Sequence, residues 1–493
     1  MNVRIDLTAL DNNRKANAIA MWGAGSVLSV AGIAALLIWL SSAPAIVVEV
    51  QVPGTDGLPS QASLAALGPE LSGVFSAGDG TPADLPGVWT QFRGPRSDNV
   101  VLDGPALAAA WGADGPKIEW AMEIGDGYAA PSVLNGRVYL MDYDVEGRAD
   151  ALRCLSLADG KEIWRRSYEV KVKRNHGMSR TIPAVTDKYI VTMGPKCHVV
   201  CLDTETGDFR WGIDLQVEYG TEEPLWYAGQ CPFIDDGAAI LAPAGTDVLM
   251  MAVDCDTGEV RWKAPNPRGW KMSHSSIIPM TLLGRKMYVY SAIGGVAGVA
   301  ADGPDAGTLL WDVPWEAKVV APSPVPAGDD KIYVTAGYST GAMLLQLKED
   351  GAGGYTAEIA ARTTPEQGLA CEQQTPIYHN GYLYSVMPKD AGPLNQQFVC
   401  YDTEGNLVWA SGNDNRFGLG PFLLADNKFY ILDDDGTLTM IDATAGEYRQ
   451  LGQAQVLHGH DAWGPLAIAG DRLLLRDMNN LACVNLGAAQ AAG

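Results

Sequence analysis

The chain has 493 residues, 47% of them apolar, and a formal charge of −23 at neutral pH. That length holds two or three ordinary domains or one large repeat array, and the apolar fraction is ample for a core. A surface this acidic repels phosphate backbones and anionic headgroups, which argues against nucleic acid as a partner.

Residues 1–15 carry Arg4, Arg14 and Lys15, and residues 16–48 contain no charged side chain. Such a run exceeds the roughly 20 residues that cross a bilayer as a helix. Glu49 and Asp56 follow it. The positive-inside rule then keeps residues 1–15 in the cytoplasm and exports the rest. The expectation is a transmembrane anchor over 16–48, single-pass in the inner (cytoplasmic) membrane, with the folded part facing the periplasm. A cleaved signal peptide ending at Ala43–Ala45 is the alternative, but the apolar stretch is long for one. Residues 49–87 are rich in Gly, Pro, Ala and Ser and read as a flexible linker. The folded region is expected over 88–487, with a disordered tail at 488–493.

Within that region one phrase recurs: CLSLADGKEIW from Cys154, CLDTETGDFRW from Cys201, AVDCDTGEVRW from Ala252, GPDAGTLLW from Gly303 and CYDTEGNLVW from Cys400. A worn copy, MIDATAGEYRQ, starts at Met440. The tryptophans 164, 211, 262, 311 and 409 are spaced by 47, 51, 49 and 98 residues, so one copy has lost its Trp near Ala360. Before each phrase comes a small or polar residue, usually followed by Pro, then an apolar pair, a turn and a strand usually carrying Tyr, as in APSVLNGRVYL from Ala130 and TPIYHNGYLYSV from Thr375. Eight such starts are present, the last at Gly464. Alternating apolar residues and Gly-containing hairpin turns make each unit four short strands. A repeat of 45 to 50 residues of this kind predicts an all-β, eight-bladed β-propeller with four-stranded antiparallel blades.

Trp164, Trp211, Trp262, Trp311 and Trp409 are then structural, each laid against the neighbouring blade. The final unit lacks both the Thr-Gly turn and the Trp, while KIEWAMEIG, from Lys117 to Gly125, is an orphan fourth strand carrying Trp120. That segment is expected to complete the last blade and close the ring, which removes sheet edges.

The Thr-Gly-x-x-x-Trp ending is similar to the tryptophan-docking motif of pyrroloquinoline quinone (PQQ)-type propellers. WTQFRGPRSDNV, from Trp89 to Val100, resembles the lead-in of bacterial PQQ-binding-like β-propeller repeat proteins. The resemblance spans nearly all of 88–487. It implies either of two functions. One branch comprises quinoprotein dehydrogenases, with adjacent cysteines over the quinone, an Asp base and a calcium. The other includes the cofactor-free propeller of the outer-membrane β-barrel assembly machinery. Fold alone does not choose between them.

The chain has no Cys-Cys pair and no Cys-x-x-Cys-His haem motif. Cys197 and Cys201 in one strand would be roughly 13 Å apart, beyond disulfide reach. Cys154, Cys201, Cys400 and Cys483 share one position in the third strand and read as small buried apolar residues. Cys197, Cys231, Cys255 and Cys371 fall outside that register, and any pairing among them is open. His458, His460 and Asp461 read as a solvated loop rather than a metal fragment.

The residues just before each inner strand are Tyr128, Arg180, Gln230, His274, Lys318, Gln373, Gln374 and Trp463. They should converge on one mouth of the ring, as a ligand site or as the lining of a water-filled channel. Arg180 and Lys318 would suit an anionic group. No catalytic pair and no metal set stands out. The expected function is therefore a membrane-anchored binding or scaffold module for a protein or small molecule, needing no cofactor. The assembly branch implies envelope protein assembly and an extracytoplasmic or membrane protein partner. The alternative is a PQQ- and calcium-dependent alcohol or sugar dehydrogenase.

Overall fold

The computed structural model describes residues 29–37, 70–173 and 177–488. Residues 29–37 are helical and exposed. Among the described residues no helix is long and apolar enough to cross a membrane. The rest of the expected anchor, the cytoplasmic residues 1–15 and the tail residues 489–493 lie outside the described residues.

Residues 70–488 fold into eight antiparallel sheets. Blade 1 runs Ser132–Leu134, Arg137–Asp144, Ala149–Ser156, Glu162–Glu169 from inner to outer strand. Blades 2 to 7 repeat this meander from Ala184, Phe233, Ile278, Val325, Ile377 and Phe422. Blade 8 takes three strands from Ala467–Asn485 and its outer strand from Lys117–Glu123, which pairs antiparallel with Asn480–Asn485 and sets Trp120 opposite Cys483. The ring is closed by this strand, as expected.

The small or polar residue that opens the inner strand has a specific task in blades 3 to 6. The Ile182 N–H donates to Cys231 Sγ at 3.3 Å, and the Cys231 N–H donates to Ser276 Oγ at 2.9 Å. In the same way the Ser276 N–H donates to Ser323 Oγ and the Ser323 N–H to Thr375 Oγ1, both at 2.9 Å. A hydrogen-bonded arc thus joins blades 2 to 6 around the hub and satisfies buried N–H groups that the sheets leave over. This role explains why Cys231 stands outside the register of the other cysteines. All eight cysteines are buried free thiols.

All eight blades share a bulge between the third and fourth strands. Trp164 pairs with Cys154, yet Leu155 pairs with Glu162, so Ile163 is skipped. The same slip precedes Trp120, Trp211, Trp262, Trp311 and Trp409, and also Ala361 and Gly452 in blades 5 and 7. A bulge re-aims the side chain that follows it. Trp120, Trp164, Trp211 and Trp262 thereby cover the turn glycines Gly160, Gly207, Gly258 and Gly307 of the following blade. A methyl group added to any of these glycines would come within 2.8 to 3.0 Å of the indole. Trp311 and Trp409 also lie against the next blade but cover no turn glycine of it. The blade 5 hairpin is longer, with strands reaching Glu349 and Tyr355, so Gly351 and Gly353 lie clear of Trp311. Trp409 instead packs among Tyr384, Phe398 and the Tyr448 of blade 7.

Two segments differ from the expected 49–87 linker and simple lead-in. The linker is ordered from residue 70. Val74–Ala77 add a fifth antiparallel strand to blade 1, Phe75 beside Trp164, because the outer strand Glu162–Glu169 offers a free hydrogen-bonding edge. Residues 49–69 lie outside the described residues. Residues 89–101 cross the hub. Trp89 bridges to Val133 of blade 1, and Val100–Val101 pair in parallel with Leu424–Ala425 of blade 7.

Candidate functional site

The crossing segment forms the floor of a cup at the hub. Phe92 packs on Ala130, Ile182 and Cys231 from blades 1, 2 and 3. The Arg93 guanidinium donates to the carbonyls of Ser97, Asp98, Thr375 and Pro376 at 2.9 to 3.0 Å. Burial lowers its pKa to about 10, so it stays charged at neutral pH. Asn99 Nδ2 donates to the Phe422 carbonyl at 3.0 Å. These bonds fasten the floor to blades 6 and 7.

The cup holds about 280 Å³, and all eight blades contribute to its wall. Six of the eight residues expected at the mouth line it: Tyr128, Arg180, His274, Gln373, Gln374 and Trp463. Gln230 and Lys318 do not, each by one residue of parity. Gln230 is turned into the core, where its amide donates to the Ala242 carbonyl and the Tyr290 hydroxyl, and Gly229 and Cys231 face the cup instead. Lys318 is exposed, and Val319 takes its place.

Two aromatic stacks dominate the wall. Tyr128 lies between Trp463, 5.4 Å away and stacked, and the Arg180 guanidinium, 4.9 Å above its ring. Trp226 lies between His274 at 6.3 Å and Tyr338 at 6.0 Å, both stacked. Lys389 Nζ sits 5.8 Å over Trp463. Burial lowers the Arg180 pKa to about 10 and raises that of Tyr128 to about 12. Burial, helped by the Arg180 charge, lowers the His274 pKa to about 3, so this imidazole is neutral at physiological pH. The Tyr128 hydroxyl is buried and has no hydrogen-bond partner among the described residues.

Trp226, Tyr338, Glu372 and Lys389 escaped the sequence reading because they come from loops without periodicity. The loop that carries Trp226 follows a single helical turn, Leu215–Tyr219, capped by the Asp214 carboxylate and ended by Gly220 at φ 69°. Trp226 and Tyr227 themselves adopt φ 65° and 72°, and Tyr338 adopts 57°. Left-handed non-glycine residues cost about 1–3 kcal/mol each and gather at ligand sites. Among the described residues that line the cup, no nucleophile is hydrogen-bonded to a base.

A family described as outer membrane protein assembly factor BamB matches residues 148–304. No curated protein matches the chain significantly. Among solved structures, BamB from Moraxella catarrhalis aligns with a TM-score of 0.50 at 12% identity, over 75% of this chain and 99% of that one. A europium-containing methanol dehydrogenase aligns with a TM-score of 0.55 at 12% identity, over 80% and 89%. Residues 148–304 thus resemble the repeat of that family, and at these identities the two structures speak for the propeller fold alone.

The residues of the cup do not fit a calcium-bound quinone. Calcium takes six to eight oxygen ligands, carboxylates foremost. Among the lining residues the one carboxylate is Glu372, and burial raises its pKa towards the neutral form. Among the described residues no group of three His, Cys, Asp or Glu is placed to hold a metal. The lining cysteine, Cys231, is committed to the hub arc.

Proposed function

We propose that this propeller of PQQ-like, BamB-like repeats is a non-catalytic binding scaffold of the bacterial envelope. It holds a protein partner at the hub cup during outer-membrane protein assembly. The carrying observation is the cup itself: two aromatic stacks and the cations Arg180 and Lys389, set on a bonded floor without catalytic pairs. Stacked rings and cations recognise a peptide segment bearing apolar and carboxylate groups. The description of the matching family as an outer membrane protein assembly factor supports assembly as the setting. The charge-free run 16–48, preceded by Arg14 and Lys15, supports an anchor in the cytoplasmic membrane with the propeller in the periplasm.

The test is photocrosslinking from position 373 in intact cells, with the Arg180→Gln and Trp463→Ala proteins as controls. The expected product is an envelope-assembly protein, captured by the wild-type cup and lost in both controls. A second arm supplies PQQ and calcium to the purified protein with a redox dye and a panel of alcohols. Turnover above roughly 1 s⁻¹ in that arm would replace this reading with the dehydrogenase one.

A further inference from the structure

The eight bulged positions form one series, and one of them is empty. In blades 8, 1, 2 and 3 an indole fills it and covers the turn glycine of the next blade. Blade 7 has Gly452 there, and the place is taken by Trp111, which comes from outside the sheet. A methyl group on Gly452 would lie 3.0 Å from the Trp111 ring, and that ring is 6.3 Å from Tyr430. Blade 5 has Ala361, paired with Leu344. Beside it, in the seam with blade 6, is a cavity of about 130 Å³. Its walls include Ala361, Leu344, Tyr333, Leu383 and Tyr401, and its far side is the turn Asp402–Gly405. An added methyl on Gly405 would meet nothing within 4 Å.

We infer that this seam is a binding site for a tryptophan side chain presented by an extended segment of another protein. The size fits one aromatic group, since an apolar cavity of about 150 Å³ binds benzene. The chain itself shows both halves of the binding mode. Trp111 demonstrates that an indole from outside a blade completes the series. Val74–Ala77 demonstrate that an extended segment adds to an outer strand. In blade 5 the outer strand is Tyr355–Thr363, nine residues long and largely exposed. It presents the edge that strand addition needs, directly beside the cavity.

The repeat also predicts where the indole N–H goes. Trp120 Nε1 donates to the Leu157 carbonyl and Trp211 Nε1 to the Cys255 carbonyl, both at 3.0 Å. Each acceptor lies three residues after the third-strand residue that faces the next seam, Cys154 and Ala252 respectively. In blade 6 that residue is Cys400, and the matching carbonyl is that of Thr403, a cavity-lining residue. Tyr139, at the matching place in blade 1, sends its hydroxyl to the Thr204 carbonyl of blade 2. Tyr333 sends its own to Leu369 instead. The Thr403 carbonyl is the acceptor for the incoming indole.

The site is separate from the hub cup, so the two readings stand or fall apart. The experiment titrates the full chain with capped heptapeptides of alternating threonine and valine that carry a central tryptophan, alanine or naphthylalanine. Binding is read by calorimetry, and amide protection at 355–363 by hydrogen exchange. The tryptophan peptide binds and protects that strand, and the alanine peptide binds at least about tenfold more weakly. The naphthylalanine peptide, which fills the cavity but cannot donate, falls between them. Ala361→Trp fills the site from within, raises Tm by about 1–3 °C and abolishes binding of the tryptophan peptide. Ala361→Phe serves the same purpose if the larger residue prevents folding. Equal binding of the tryptophan and alanine peptides, or undiminished binding to the filled variant, overturns the inference. Peptide binding that protects a different strand overturns it as well.

Discussion

Replacing Trp120 by alanine tests ring closure most directly. Trp120 is 8% exposed, and its indole N–H bonds to the Leu157 carbonyl of blade 1. Burying an indole removes about 150–250 Å² from water, worth about 4–6 kcal/mol at 25 cal/mol per Å². The unfolded chain already buries part of that area, which lowers the figure. The lost hydrogen bond adds about 1 kcal/mol. A loss near 4 kcal/mol follows, in line with large-to-small core substitutions. Its location is the stronger prediction. The residues that depend on Trp120 are its own strand, Lys117–Glu123, and the paired strand Asn480–Asn485. Native-state hydrogen exchange should show protection of 480–485 falling by about three orders of magnitude, at 1.4 kcal/mol per tenfold. The blade 4 strand Arg285–Ala292, across the ring, should change far less. A loss below about 1 kcal/mol, or equal loosening of both strands, refutes the clasp.

Gly207→Ala and Gly405→Ala both force a side chain onto a left-handed backbone, at φ 70° and 89°, but only the first also meets an indole. Urea unfolding should find the first costlier by about 1–2 kcal/mol, the strain being common to both. The Asp150 carboxyl is buried, and burial raises its pKa to about 7 although the Tyr168 hydroxyl donates to it at 2.8 Å. The folded state therefore holds this proton more tightly than the unfolded one. Asp150 contributes stability that is present below about pH 4 and lost as pH rises towards 7. Asp150→Asn should flatten the stability profile in that window. All eight thiols should resist a disulfide-exchange reagent in the native protein and all eight should react in denaturant. Six in denaturant would mean that a pair such as Cys201 and Cys255, the first of which donates its thiol to the second's carbonyl at 3.4 Å across a seam, had oxidised.

The architecture was legible because the chain writes it out repeatedly. Five phrases supply both the strand pairing and the indole, and the missing phrase-end of blade 8 pointed to Lys117–Glu123. The six correctly placed cup residues were found by the same logic, counted back from the inner strands. Gln230 and Lys318 failed because strand parity reverses with one residue, and nothing in the pattern fixes parity outside the ladder. Trp111 and Phe92 were not legible because they act far along the chain, across 341 positions on Gly452 and 139 on Cys231. Neither belongs to a repeat. The strand Val74–Ala77 hid in a Gly- and Pro-rich stretch whose composition resembles a tether, and tertiary pairing overrides so weak a local signal.

The clasp has a temporal consequence. Asn485 Nδ2 donates to Glu119 Oε1 across 366 positions of sequence. A chain made or exported from its N-terminus therefore releases strand Lys117–Glu123 long before its partner exists. Until residues 480–485 emerge, blade 8 has no sheet to join, and an amphipathic strand waits unpaired. Such a species is aggregation-prone and slow to mature. Completion of this wheel waits for residues 480–485, and a holding chaperone that binds near residue 120 would set its yield.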